Sequence, residues 1–478
     1  MVLVNRGPFR RAALRPYISQ MSTPNPKGLF DDLVASVLEE QGFSWDENPR
    51  SVYEPEQLYI ALERYATDWT QFEKLDPSMK QGFVMAFKTF AKPQGSPCFS
   101  MPNEVELVKA LKLSKSSGLP LMTSKAKSLV YSLDREEQIR SGIKAPNPCV
   151  AYKRTQKDNK TRLVWGYPLE MTIMEARFAR PLIDYFKSHN TPMAFGLTKL
   201  ALGAKIHRNF EDQPGTTVCL DFSKFDSTIS QTMIRQAFRI LGTWFSEEDK
   251  EKYGWNTLIE YFIHTPIVMP DGNLYTGKNH GVPSGSYFTQ MVDSIVNVAT
   301  MYALQYSQGM LFRSESLLVL GDDVIVQVKG KVEVSRYTDY LKKFGLQLHG
   351  EEKTVIGECH FLGATWIKGK PHRQVKELVE SAIFPETFRN YGGDKFNGPR
   401  AVLRSYASSY IEGIQLVPTS GRLPSQSMKW IDHPIDHDID QDSRYMTGSE
   451  KFFFEEFDKG LNRNSRYYDP TLSLRILL

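Results

Sequence analysis

Hydrophobic positions along the 478-residue chain change their period repeatedly, and each change marks an element. From Leu29 to about Phe90 the spacing is helical, as in Leu58, Ala61, Leu62 and Tyr65, and it stops near Pro93 and Gly95. The β-branched and apolar run from Thr216 to Phe222 reads as a strand that ends at Asp221. Behind it, Ile234, Ala237, Phe238 and Leu241 mark one face of a helix. In GVPSGSYFTQMVDSIVN, from Gly281 to Asn297, Ser284 and Gly285 form a flexible loop. The loop enters a helix whose apolar face carries Phe288, Val292, Ile295 and Ala299. LLVLGDDVIVQV, from Leu317 to Val328, sets two apolar runs around Gly321, Asp322 and Asp323, which predicts two short buried strands joined by a tight turn. Tyr337, Tyr340, Leu341 and Phe344 then share a buried helix face ending at Gly345. LHGEEKTVIG places Lys353 on a turn, and HFLGATWIKGKPHR reads as a strand pair turning at Gly369. A last helical pattern surrounds Pro399 to Tyr410, and no internal repeat is visible.

Composition adds bounds. With 41% hydrophobic and 24% charged residues the chain is globular rather than disordered, and its length suits about three domains or one multi-lobed body. No apolar run approaches the roughly 20 residues of a membrane span, so no membrane partner is expected. Cys98, Cys149, Cys219 and Cys359 are too scattered for a zinc site or a disulfide framework and suit a reducing compartment. The net charge of +4 conceals an asymmetry: thirteen Lys and Arg stand against four Asp and Glu between Lys109 and Arg162, a local +9. That segment is either a polyanion site or a solvated basic face. From Ile431 to Asp458 the balance reverses, with nine acids against two bases. There His433 and His437 suit a solvated acidic surface better than a metal site. Residues 1–28, with Arg6, Arg10, Arg11, Arg15 and Lys27 and no acid, read as a basic flexible arm. A mitochondrial transit peptide is the other reading, opposed by Pro8 and Pro16, which would interrupt its helix.

The candidate chemistry lies in the acids. Adjacent carboxylates such as Asp322 and Asp323 repel and raise each other's pKa unless a hard cation such as Mg²⁺ holds them ionised. Asp221, at another strand end, has Asp226 close by in DFSKFDSTIS, where an Asp would otherwise be a helix cap or Asx turn. If the two strands are neighbours the acids converge, and two metal ions roughly 3.5 to 4 Å apart would activate a hydroxyl and neutralise a leaving pyrophosphate. Thr289, Asp293 and Asn297 form a polar stripe that is costly on a buried helix unless it binds a ligand or is satisfied internally. Lys153, Arg154, Lys157, Lys160 and Arg162 crowd a hairpin turning at Asp158 and Asn159, which could grip a triphosphate. Ser116, Gly118 and Pro120, in SKSSGLPLM, form a turn able to aim N–H groups at a phosphate.

In this order the motifs resemble those of the right-handed RNA-dependent RNA polymerases of RNA viruses. SKSSGLP is like their template-channel loop, the basic hairpin like the nucleotide-entrance element, and DFSKFD like the first palm motif. SGSYFT…N resembles the second, LGDD the third, and HFLG the primer-grip strand. The wording is nearest to double-stranded RNA viruses of the partitivirus type, plant cryptic viruses in particular, with picobirnaviruses as relatives. The resemblance implies an α+β right hand, closed by contacts between fingers and thumb. Its expected parts are fingers at 29–203 and 242–283, palm at 204–241 and 284–370 with an antiparallel sheet, and a helical thumb with the C-terminal segment at 371–478. It implies that Asp221, Asp322 and Asp323 bind two Mg²⁺ ions, with Mn²⁺ as substitute, and that Lys353 protonates pyrophosphate. Lys153, Arg154 and Arg162 would hold the NTP, and Asp226, Ser284, Thr289, Asp293 and Asn297 its ribose. Ser116, Gly118, Pro120 and Gly285 would contact the template. RNA template and product, NTPs and a capsid protein are the expected partners, with residence in the virion within host cytoplasm. The family pattern often has Asn where this chain has Asp293, which leaves open whether Asp293 or Asn297 meets the ribose. A reverse transcriptase would favour an aromatic residue in place of Asp226 and Tyr-x-Asp-Asp in place of LGDD. A non-enzymatic RNA-binding virion protein with structural carboxylates is the remaining alternative.

Overall fold

Residues 2–25, 28–46, 52–156, 160–350, 353–386 and 388–418 are described by a computed structural model of the chain. In chain order the strands are β1 (Val4–Pro8), β2 (Cys149–Thr155), β3 (Thr161–Gly166), β4 (Thr216–Leu220), β5 (Ile267–Val268) and β6 (Asn273–Thr276). There follow β7 (Leu311–Leu320), β8 (Asp323–Lys329), β9 (Val355–Ile356), β10 (Cys359–Phe361), β11 (Ala364–Ile367) and β12 (Lys370–His372). They make a five-stranded sheet ordered β1-β6-β5-β2-β3, a four-stranded sheet β7-β8-β4-β9 and a three-stranded sheet β10-β11-β12. Helices fill the intervals, so the chain is mixed α+β, as the resemblance implies.

The four-stranded sheet is antiparallel throughout. Its strands read as continuous apolar runs because both faces are buried. Val218, Leu220, Val324 and Val326 point into one core, shared with the helices Gln231–Gly242 and Thr289–Gln308. The alternating Cys219, Leu318 and Ile325 enter a second core with Phe361, Trp366 and the helices near the C-terminus. Beneath the sheet, the helix Pro77–Phe90 crosses Thr289–Gln308 at Gly82. A Cβ added at Gly82 would lie 2.1 Å from the Ala299 carbonyl oxygen, so only glycine permits this approach. The N-terminal helical stretch, which carries no chemistry of its own, therefore buttresses the helix that bears the polar stripe.

Residues 2–21 differ from the expected flexible arm. Val4 and Asn5 pair with Thr276 and Tyr275, which makes β1 the edge of the five-stranded sheet. The helix Arg15–Met21 buries Tyr17 and Met21, with Leu14 just before it, and the Tyr17 hydroxyl donates to the Ala151 carbonyl at 2.5 Å. Burying Leu14 and Met21 stabilises the segment by about 1.5–3 kcal/mol each. Pro16 does not interrupt this helix because it lies in the first turn, where its missing N–H is not needed. An edge strand with mostly exposed side chains has no alternation to read, and Arg6, Arg10, Arg11 and Arg15 in solvent gave it the look of a tail.

The helix Asp32–Glu40, read from sequence as part of the fingers, packs with the helices Val375–Ile383 and Asn397–Ser409. The buried Asp31 fastens this join: it accepts from Arg389 at 2.8 Å and from the Tyr391 hydroxyl at 2.5 Å. The start of the chain thus closes onto its C-terminal helical layer. The acidic stretch Ile431 to Asp458, with His433 and His437, and the hairpin tip at Lys157, Asp158 and Asn159 lie outside the described residues.

Candidate active site

Asp221 follows β4 directly, and Gly321 and Asp322 are the two-residue turn between β7 and β8, where Leu320 faces Asp323. Gly321 has φ +66°, the left-handed conformation that such a hairpin turn needs and glycine adopts freely. The register pairs Leu220 with Val324, which brings Asp221 opposite Asp323 at the same end of the sheet. Asp221, Asp322, Asp323 and Lys353 line one cleft of about 450 Å³, with His360 and Arg373 on its wall. Acids 101 positions apart in sequence therefore meet on one rim.

The cleft holds its carboxylates under electrostatic stress. Burial, and then the neighbouring charges of Asp322 and Asp221, push Asp323 up to about 7, while the Leu362 N–H that it accepts at 2.7 Å pulls the other way. Asp322 is raised as well, by burial and by Asp221, against the lowering influence of Arg162. Crowded oxygens of this kind suit a hard divalent cation in donor chemistry, since the cation supplies the positive charge they lack. Among the described residues, however, no three His, Cys, Asp or Glu side chains gather tightly enough to enclose an ion. One Asp323 oxygen is already taken by Leu362, so Asp221 and Asp322 are the two ligands that the arrangement offers most openly.

The polar stripe divides its work. Asp226 hydrogen-bonds Asp293, and burial together with Asp322 pushes Asp226 up to about 6. Asp293 is raised further, by its own burial and by Asp226 and Asp322, and two carboxyl groups in hydrogen-bond contact need one proton between them. Both carboxyl groups of the pair are thus withdrawn from solvent. Asp226 is thus neither a helix cap nor an Asx turn. Asn297 serves the hairpin turn instead: its Nδ2 donates to the Gly321 carbonyl at 3.0 Å, while Ser294 Oγ accepts from the Gly321 N–H at 2.9 Å. Thr289 Oγ1 is spent within its own loop, against the Pro283 and Ser286 carbonyls at 2.8 and 3.0 Å. Ser284 Oγ accepts from the Trp165 N–H at 3.3 Å, and a Cβ at Gly285 would lie 1.8 Å from the Trp165 carbonyl oxygen. Ser284 and Gly285 therefore seat the loop on β3, and Thr289 ties it to the start of its helix.

The basic residues also separate. β2 and β3 pair Arg154 with Arg162, so these two share a face and Lys153 takes the other. Arg162 is exposed, and its charge reaches Asp226 and Asp322. Arg154 instead makes a two-pronged ion pair with Glu386 at 3.1–3.3 Å. Lys153 lies 3.7 Å from the centre of the Tyr53 ring, away from the acids, and burial lowers its pKa. Ser116 and Gly118 shape a turn against Tyr167 and Pro168, where a Cβ at Gly118 would lie 2.7 Å from the Tyr167 carbonyl oxygen. Pro120 follows in the same turn, whose Gly118 carbonyl accepts from the Met122 N–H.

Three participants escape the sequence reading. His349 donates its N–H to the Asp221 carbonyl at 2.8 Å and sets its ring 3.9 Å from the Asp221 carboxylate. Ser294 lacked a signal beyond its place beside Asp293. Glu175, in the helix Leu169–Ser188, was detectable as an acid inside the apolar run MTIMEARFA.

The model of the family described as viral RNA-dependent RNA polymerase matches residues 50–388. Among curated proteins, the chain is similar to the RNA-directed RNA polymerase of Cryptosporidium parvum virus 1. The two are 30% identical over 257 residues, covering 50% of this chain and 48% of that one. It is also similar to that of white clover cryptic virus 1, at 26% over 289 residues, covering 52% and 46%. The chain spans about half the length of these curated relatives. Among solved structures, the RNA-dependent RNA polymerase of a human picobirnavirus superposes with a TM-score of 0.66 at 17% identity, covering 98% of this chain and 93% of that one.

Proposed function

Because the chain belongs to the viral RNA-dependent RNA polymerase family, we propose that it copies an RNA template by joining NTPs, and that the cleft edged by Asp221 and Asp322 is where the phosphodiester bond forms. The observation that carries this reading is the register of β4 against β8, which sets the two acids on one cleft. Asp221 and Asp322, with Asp323 behind them, would hold divalent cations, two Mg²⁺ or Mn²⁺ in this reading. Such ions lower the pKa of the attacking hydroxyl and offset charge on the departing pyrophosphate. Asp323 gives one oxygen to the Leu362 N–H and would offer its other to the ions. Arg162 would meet the triphosphate, and Lys353, on the cleft wall, would give a proton to pyrophosphate. Asp226, which shares a proton with Asp293, would accept a hydrogen bond from the ribose 2′-OH. This favours ribonucleotides over deoxyribonucleotides, and synthesis over simple RNA binding. Association with a capsid protein and residence in a virion in host cytoplasm follow from the same reading.

The test is nucleotide incorporation on a defined RNA template with Mg²⁺ or Mn²⁺, beside an Asp322→Asn control. Synthesis by the wild type and its absence in the control support the reading. Equal incorporation by both, or a preference for dNTPs, overturns it.

A further inference from the structure

The loop Gly281 to Phe288 is held at both ends by buried ionisable side chains that contact neither the acids nor the cleft. At its start, Lys278 is 2% exposed, and its Nζ donates to the Phe262 carbonyl at 2.7 Å and to the Ile263 and Gly281 carbonyls at 2.8 Å. Two of these acceptors close the last turn of the helix Trp255–Ile263, where the backbone dipole welcomes a cation. Trp165 and Tyr65 present their rings 5.8 and 6.0 Å away. Burial alone draws the Lys278 pKa well down, yet three carbonyls at hydrogen-bond distance require all three protons of an ammonium. At the far end Glu175, 1% exposed, accepts from Ser286 Oγ at 2.8 Å and from the Tyr287 N–H at 2.9 Å. Between these anchors the Val282 N–H donates to the Asp226 carbonyl at 2.7 Å, and the Gly281 N–H to the Ile229 carbonyl at 2.8 Å.

We propose that Lys278 and Glu175 are positioning residues that set nucleotide selection: by pinning the loop from opposite ends they fix Asp226 against Asp293, and so the pocket that distinguishes ribose from deoxyribose. This rests on the polymerase reading of the same site. Neither residue lines the cleft. They act through the Gly281 and Val282 backbone on one side and the entry to the helix Thr289–Gln308, which bears Asp293, on the other. Such double anchoring is more than packing needs, because apolar side chains of similar volume would fill the same space without the cost of burying polar groups.

Glu175→Gln keeps the shape and one acceptor but loses the second, and Lys278→Met removes all three donors. Incorporation of NTP and dNTP is measured for the wild type and each variant on one RNA template. In parallel, amide hydrogen exchange is followed over Gly281 to Phe288. The expected result is a fall of about tenfold in the NTP/dNTP ratio of kcat/KM, the effect of one to two hydrogen bonds, with faster exchange confined to the loop. Should Lys278→Met fail to fold, the isosteric Glu175→Gln carries both measurements. An unchanged NTP/dNTP ratio with activity lost only in proportion to the unfolded fraction overturns the inference alone. No synthesis by the wild type overturns the polymerase reading and this inference together.

Discussion

Asp221 stands at the cleft with about half of its side chain (51%) exposed, whereas Asp293, in the other acid cluster, is 2% exposed and shares a proton with Asp226. The same side chain is thus given two tasks by its surroundings. The rim acids stay separate, strained by one another's charge and open to a cation. The enclosed pair relieves its strain internally by retaining a proton, which leaves one carboxylate and one carboxylic acid, an acceptor beside an acceptor–donor. Charge that must be neutralised from outside suits metal binding; charge neutralised from within suits recognition of a neutral hydroxyl.

Removing a rim acid breaks the comparison most severely. Asp322→Asn is expected to reduce nucleotide incorporation on the order of 10³-fold or more while RNA binding in a filter assay is retained, because the charge that draws the cation is gone. In the enclosed pair the effect is smaller and different in kind. Asp226→Ala should lower NTP over dNTP discrimination by about 10- to 100-fold, since the 2′-OH loses its charged partner. Asp293→Asn, whose amide can still donate to Asp226, should lower it by less than about threefold. Steady-state incorporation of the two nucleotides checks both. Millimolar Mg²⁺ should raise the thermal midpoint of the wild type by a few degrees through preferential binding to the folded state. It should do the same for Asp293→Asn and nothing for Asp322→Asn.

The smallest effect is on pH. Asp226 is pushed up to about 6 from an ordinary value of 3.8. A raised folded-state pKa contributes stability that is fully present below the unfolded value and is lost as pH rises through the folded one. Urea midpoints of the metal-free protein should therefore fall between about pH 4 and pH 6, and more shallowly in Asp293→Asn, which removes one partner in the coupling. A midpoint that rises over this range would contradict the proton-sharing pair.

Several of these features can be read directly along the chain. The turn at Gly321 and Asp322, the strand ending at Asp221, the β2–β3 hairpin, the polar stripe and the turn at Gly369 all follow from residue periods of two or four and from turn chemistry. What each polar side chain does is far less legible. Arg154 and Arg162 look alike in sequence, yet Glu386, 232 positions from Arg154, takes one of them out of the site. Thr289, Asp293 and Asn297 look like one stripe. Because a helix advances past its neighbours, one caps a loop, one meets Asp226 and one reaches Gly321.

By itself, then, the sequence determined the acids, their strand ends and the ordered motifs that mark the family, since these depend on neighbours within a turn or a strand. Only the tertiary structure decided that residues 2–21 complete a sheet, that Asp293 rather than Asn297 pairs with Asp226, and that Lys278 and Glu175 pin the loop between them. Those outcomes depend on which distant carbonyls and carboxylates arrive at hydrogen-bond distance, a matter of how the chain closes on itself that no local period records.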